Sequence, residues 1–252
     1  MTDLSGQVAM ISGAGGPMGR AVAAALVDAG VTGLALTDIS ANRLAEAVDW
    51  AEARGVRVAS LRADVTRADE ADAFCNLAQM SLGGVDILLN LVGGIRSKRL
   101  YTPFLEMTEA QFRATMDLNL IGTFHLTQRV APGMIARKKG RIINVVSIVF
   151  GGEAGQADYA AAKAGVASLT KSLAEEFAPY VTVNAVAPGL TRTSITENMP
   201  EDHAKRLTSK AFIQRMAEPE EIADAVAFLA SDRARFITGD IISVSGGIIP
   251  SL

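Results

Sequence analysis

Residues 8–19 read Val-Ala-Met-Ile-Ser-Gly-Ala-Gly-Gly-Pro-Met-Gly, and the reading of this stretch decides the fold. The four leading apolar residues suit a short strand covered on both faces. Glycines follow at once, and beyond them Val22, Ala25, Leu26 and Ala29 recur with helical spacing. Strand, glycine turn and helix in that order open a βαβ unit. The turn itself has a chemical use. Glycines let an anion approach backbone N–H groups, and the helix N-terminus behind them favours negative charge. Gly13, Gly15, Gly16, Met18 and Gly19 are therefore candidate contacts for a dinucleotide pyrophosphate. Such a turn is equally common as plain structural punctuation, so its surroundings must decide.

The surroundings repeat the rhythm. Leu34 to Thr37 is a second apolar run, and Leu44, Ala47, Val48 and Ala51 mark one helix face after it. Residues 56–63 read as a third strand, with Phe74 and Leu77 in the next helix, and 85–91 is continuously apolar. Thr108 and Gln111 form a capping-box pair that opens a long helix reaching about Lys138. Strand, helix and strand follow over 141–147, 157–178 and 181–187. Pro219 suits the first turn of a helix running to Ala230, and 241–244 makes a last strand. Seven strands alternating with six helices predict an α/β fold. It is a single doubly wound, parallel, seven-stranded Rossmann-type sheet with helices on both faces, one domain spanning 1–252. The polar stretch 191–216 breaks the rhythm just after a strand end, as a lid-like insertion beside a ligand would.

Composition excludes several classes. Of 252 residues 49% are apolar, enough for a large core. Lys and Arg number 24 against 27 Asp and Glu, for a net charge of −3, which argues against a nucleic-acid partner. A single cysteine, Cys75, and two distant histidines, His125 and His203, leave no metal-site spacing. The N-terminus lacks a signal-peptide pattern, and no apolar run approaches the roughly 20 residues of a membrane span. A soluble protein of the reducing cytoplasm is expected.

Asp38, with Ile39 beside it, closes the second strand about 20 residues past the turn, where a carboxylate can accept hydrogen bonds from an adenosine ribose. The same charge would repel the 2′-phosphate of NADP, and the glycine turn holds no Lys or Arg to offset it. NAD is the expected cofactor; the bland alternative for Asp38 is a turn or capping residue. Further along, Tyr159 and Lys163 stand four residues apart, hence on one helical face. A free phenol, with a pKa of about 10, is a weak base near neutrality, and a neighbouring ammonium favours its ionised form. YxxxK alone is commonplace.

Together these motifs resemble the short-chain dehydrogenase/reductase (SDR) family over nearly the whole chain. Residues 12–19 are similar to the family's cofactor turn, and Asp64-Val65 to its adenine-contacting pair. Asn90-Leu91-Val92-Gly93 occupies its fourth-strand motif. Pro188-Gly189 with Thr191 and Thr193 resembles its nicotinamide-contacting segment, and Asn119, Ser147, Tyr159 and Lys163 match its catalytic tetrad. The resemblance implies that Tyr159 exchanges a proton with the substrate oxygen and that Ser147 orients that oxygen. It implies that Lys163 lowers the tyrosine pKa and binds the nicotinamide ribose, and that Asn119 holds a relay water. The substrate is then an alcohol or its ketone. A homotetramer or dimer is implied, packed through the helices bearing Asn119 and Tyr159. Pro17 in place of the usual middle glycine, Leu91-Val92 in place of Asn-Ala, and a Ser147–Tyr159 loop one residue short of the commonest spacing depart from the pattern. A 3-oxoacyl-thioester reductase and a non-catalytic NAD-binding sensor or scaffold remain alternatives. Asp38 speaks against the first, because such reductases usually prefer NADPH, and the intact tetrad against the second.

Overall fold

The computed structural model describes residues 3–97, 99–193, 196, 199 and 201–248, with the backbone alone at 203. Its strands are β1 (Val8–Ser12), β2 (Gly33–Asp38), β3 (Arg57–Arg62), β4 (Ile87–Asn90), β5 (Gly140–Val145), β6 (Val181–Pro188) and β7 (Ile241–Val244). All pair in parallel, in the order β3-β2-β1-β4-β5-β6-β7. Every residue of β1, β2 and β4 is buried, as the unbroken apolar runs require of central strands. Edge strand β3 is half exposed and correspondingly polar.

Helices cover both faces. On one side α1 (Pro17–Asp28), α2 (Ala41–Glu52) and α8 (Pro219–Ala230) pack Val22, Leu26, Leu44, Ile222 and Val226 onto the sheet. On the other, α3 (Ala68–Leu82), α5 (Gly122–Ala136) and α6 (Ala157–Phe177) contribute Phe74, Leu126, Met134 and Ala174. Each large apolar side chain so buried is worth about 1.5–3 kcal/mol. The connections leave β1 and β4 in opposite directions, which opens a crevice at the carboxyl ends of these neighbours. Register there sets Ser12 beside Asn90, and Asn90 beside Asn144. Among the described residues no helix is long and apolar enough to cross a bilayer.

Three local features differ from the sequence reading. The long helix is α4 (Glu109–Met116) joined to α5 by a π turn over Asp117–Ile121. Asn119 lies in this turn, and π turns of this kind frequently mark functional sites. The capping box is only half made. Thr108 accepts from the Gln111 N–H at 3.2 Å, but the Gln111 side chain is turned away to Asp158. The stretch 191–216 contains a helix, α7 (Glu201–Thr208), that apolar periodicity does not reveal. Its acids at the start and bases at the end suit the helix dipole instead. Residues 194, 195, 197, 198 and 200 of the lid-like segment, and Lys98, lie outside the described residues.

Candidate active site

At the carboxyl ends of β1 and β2 the glycine turn is built for close approach. Gly16 caps α1 and Pro17 is its first residue. A Cβ on Gly19 would lie 2.2 Å from the Gly13 carbonyl oxygen, so only glycine lets α1 sit on the turn. Asp38, 6% exposed, accepts from the Gly15 N–H at 3.1 Å and the Ser40 N–H at 2.8 Å. Both oxygens are thereby fixed. Ser40 caps α2, and Arg43 in its first turn lies 3.5 Å from the Asp38 carboxylate. The glycine turn holds no base, as the sequence reads; the base beside Asp38 comes instead from the first turn of α2, a position the sequence reading does not consider.

A cleft of about 1040 Å³ runs from this corner across the carboxyl edge of the sheet. Gly13, Gly16, Met18, Gly19, Asp38 and Ile39 line one end, with Asp64 and Val65 beside them. Val92, Gly93, Ser147, Tyr159 and Lys163 line the other, closed by Pro188, Gly189, Thr191 and Thr193. Three expected residues sit behind the lining. Gly15 supports it through the bond to Asp38. Asn90 is buried, and its amide donates to Asn144 at 2.8 Å and Thr127 at 3.3 Å, tying β4 to β5 and α5. Its oxygen has no hydrogen-bond partner among the described residues. Asn119, 1% exposed, accepts from the Gly94 N–H at 3.0 Å and donates to the Gly94 carbonyl at 2.7 Å and the Thr115 carbonyl at 2.8 Å. It is a strut between the π turn and the loop after β4.

The expected catalytic groups converge at the end of β5. Ser147 and Tyr159 line the cleft together, and the Ser147 hydroxyl accepts from the Val149 N–H at 3.4 Å. Lys163, one turn along α6, lies 5.7 Å from the Tyr159 ring centre and donates to the Val145 carbonyl at 2.7 Å. Gly93 closes the set. A Cβ there would stand 2.6 Å from the Asn119 side-chain oxygen and 2.9 Å from Lys163 Nζ, so a larger residue would push both aside. The electrostatics differ from the expectation that the lysine lowers the tyrosine pKa. Burial pushes the Tyr159 phenol up to about 12, against the Ser147 side chain, which favours the ionised form. Burial likewise pushes Lys163 down to about 7, and among the described residues no carboxylate offsets it.

The basic groups around the mouth separate on inspection. Arg99 pairs with Glu106 at 2.9 Å, and Lys205 with Glu201 at 2.9 Å. Arg96 lines the cleft. Arg206 and Lys210 face Tyr101 and Glu153 in a side pocket of about 340 Å³ that shares a wall with it. Burial and Glu153 raise the Tyr101 pKa, and Arg206 opposes them.

Comparison with known proteins agrees with this geometry. A family model described as enoyl-(acyl carrier protein) reductase matches residues 13–249. The chain is 37% identical to the 3-oxoacyl-[acyl-carrier-protein] reductase FabG of Thermotoga maritima, over 98% of this chain and 99% of that protein. It is 36% identical to the (2S)-[(R)-hydroxy(phenyl)methyl]succinyl-CoA dehydrogenase subunit BbsD of Thauera aromatica, covering 97% of each. Among solved structures, a protein provisionally named a short-chain alcohol dehydrogenase from Sinorhizobium meliloti 1021 superposes with a TM-score of 0.91. The two are 32% identical over 99% of both chains.

Proposed function

The chain belongs to the short-chain dehydrogenase/reductase family, and from that premise we propose that it interconverts a secondary alcohol and its ketone with NAD. The observation that carries this reading is the placement of Ser147, Tyr159 and Lys163 together in a cleft that reaches back to Asp38. Bound nicotinamide dinucleotide supplies or accepts the hydride. The glycine turn with the α1 N-terminus would hold its pyrophosphate, Asp38 the adenosine ribose, and Lys163 the nicotinamide ribose. In reduction Tyr159 gives its proton to the substrate oxygen while the Ser147 hydroxyl holds that oxygen in place. Asn119 steadies the π turn beside them, the place from which it would hold a relay water. The test is a panel of alcohols with NAD, followed by absorbance of the reduced nicotinamide. Cofactor binding without turnover of any alcohol or ketone would leave the sensor reading standing.

A second reading, reduction of 3-oxoacyl thioesters, is supported by the name of the Thermotoga relative and by the side pocket that extends the cleft. Faster turnover of a 3-oxoacyl thioester than of simple ketones would favour it. A homo-oligomer in the cytoplasm is proposed as the working form, supported by the part-exposed Phe124 on α5 and the lone cysteine.

Cofactor choice gives the next expected result. Asp38 is held rigidly toward the cleft, so NAD should bind more tightly than NADP. Asp38→Ala removes the repulsive charge and also leaves Arg43 unpaired. The ratio of the two dissociation constants should therefore move toward NADP by about 10- to 100-fold, as for a charge pair near the protein surface. Equal affinity for both cofactors in the unmutated protein would contradict the NAD assignment.

Pro17 makes a smaller difference. It supplies no N–H at the first position of α1, so Pro17→Gly should tighten NAD binding a few-fold. An unchanged or weaker dissociation constant would show that the remaining donors of the turn suffice.

Substrate charge is the remaining question. Arg96 on the cleft and Arg206 in the side pocket favour an alcohol bearing carboxylate, sulfonate or phosphate. The opposing carboxylate of Glu153 and solvation weaken that pull. The expected result is a higher kcat/KM for an anionic alcohol than for its neutral analogue, falling as salt rises. Arg96→Ala should raise KM mainly for the anion. Neutral alcohols turned over best, with no salt effect, would rule this out.

A further inference from the structure

A buried carboxylate that the chemistry above does not use lies next to the reacting tyrosine. Asp158 is 1% exposed, in the first turn of α6, and among the described residues it makes no ion pair. One oxygen accepts from the Tyr159 N–H at 2.8 Å; the other accepts from the Thr115 hydroxyl at 2.9 Å and the Gln111 amide at 3.2 Å. Burying a charge among neutral donors is costly, so the arrangement persists for what those bonds connect. We propose that Asp158 is a positioning residue that locks the Tyr159-bearing turn of α6 to the Asn119-bearing π turn. The proposal rests on the reading of Tyr159 as the proton donor.

The connection can be followed atom by atom. A carboxylate only accepts, so it fixes the direction of the Thr115 hydroxyl proton and leaves the Thr115 oxygen free to accept. That oxygen receives the Arg96 N–H at 3.3 Å. The Thr115 carbonyl receives the Asn119 amide, whose other bonds hold Gly94. One continuous series of hydrogen bonds thus runs from the tyrosine's own backbone through α4 to the π turn and to the loop lining the cleft. Gln111 is independent testimony. It leaves a local capping box incomplete in order to reach Asp158, and a local rule broken in this way points to a compensating task elsewhere.

The experiment compares Asp158→Ala, Asp158→Asn, Thr115→Val and the Asp158→Ala/Thr115→Val double variant. Asp158→Ala and Thr115→Val should each lower kcat about tenfold or more, the scale of a small misplacement of reacting groups. The KM and the cofactor dissociation constant should stay within about twofold. Because both act through one series of bonds, the double variant should be no slower than the worse single one. Asp158→Asn, whose amide accepts from Tyr159 and donates to a reoriented Thr115 or Gln111, should recover most of the rate. Amide hydrogen exchange supplies a readout that needs no substrate. It should quicken together at residues 94–96 and 158–162 in both single variants. If Asp158→Ala does not fold, Thr115→Val and Asp158→Asn carry the same comparison. The proposal is overturned by unchanged kcat with only a lower melting temperature, by losses that multiply in the double variant, or by faster exchange in one segment alone. Absence of turnover in the unmutated protein would instead count against the oxidoreductase reading, and the exchange result would still decide the role of Asp158.

Discussion

Tyr159→Phe is expected to lower turnover by about 10²-fold or more, the scale of general acid–base catalysis, while fold and cofactor affinity persist. Phenylalanine keeps the ring volume, so the wall of the cleft is preserved and only the proton donor is lost. The Ser147 hydroxyl still faces the cleft and still accepts from the Val149 N–H. The direction of the pKa shift adds a pH signature. A phenol held near 12 is protonated throughout the neutral range, which suits donation to a ketone. As a base for alcohol oxidation it becomes competent only as pH rises, so oxidation should climb with pH while reduction stays level near neutrality. In the phenylalanine variant that climb should vanish with the rate. Steady-state kinetics in both directions across pH make the check, and near-normal turnover in Tyr159→Phe would refute the mechanism.

The second large effect is on stability. Lys163 is 2% exposed, and burial lowers its pKa from 10.5 to about 7. Below pH 7 the folded protein carries a buried ammonium, and the penalty is fully present. Between about 7 and 10.5 the unfolded chain holds a proton that the folded protein has released, so stability rises with pH by up to about 1.4 kcal/mol per unit. Tyr159 acts in the opposite sense only above its ordinary value of 10.0, where the folded protein keeps a proton the unfolded chain loses. Lys163→Met removes the charge and keeps the stem, at the loss of the hydrogen bond to Val145. Net stabilisation of about 1–3 kcal/mol at pH 7 is expected, since the bare carbonyl offsets part of the gain. Denaturant unfolding of the two proteins at several pH values tests this. An equal pH slope between 7 and 10 in both would show that Lys163 is not the source.

Fold and site were legible to different depths. The unbroken apolar runs of β1 and β4 could belong only to strands covered on both faces, and their alternation with helical patterns dictated the parallel sheet. Strand ends then located the residues of the cleft, because ligands of such sheets bind where strands finish. What periodicity could not carry was pairing across the fold. Arg43 is five residues from Asp38 in sequence, but its role depends on Ser40 capping α2 at the right angle. Asp158 is an ordinary first-turn acid by sequence, and only the docking of α4 against α6 buries it. The pKa of Tyr159 departs from the sequence expectation for a related reason. A YxxxK spacing shows the lysine nearby, whereas the burial that raises the phenol belongs to the whole domain. Helix α7 has only Ala204 and Leu207 as apolar residues, too few to mark a helical stripe in the sequence, while its acids precede its bases.

The sheet order also has a consequence for how this molecule comes into being. β1 lies between β2, its neighbour in sequence, and β4, whose Asn90 pairs with Ser12 across most of the first half of the chain. The far wall of the cleft waits longer still, for Pro188 to Thr193 and for Ile248 beyond β7. At ribosomal rates of about 5–20 residues per second, roughly ten seconds or more separate the emergence of the glycine turn from that of the last wall. During that interval the apolar strands have incomplete partners, and long-range parallel pairing is intrinsically slow. A nascent or truncated chain can therefore present the glycine turn before the cleft is enclosed, and the cleft wall is complete only after the final strand.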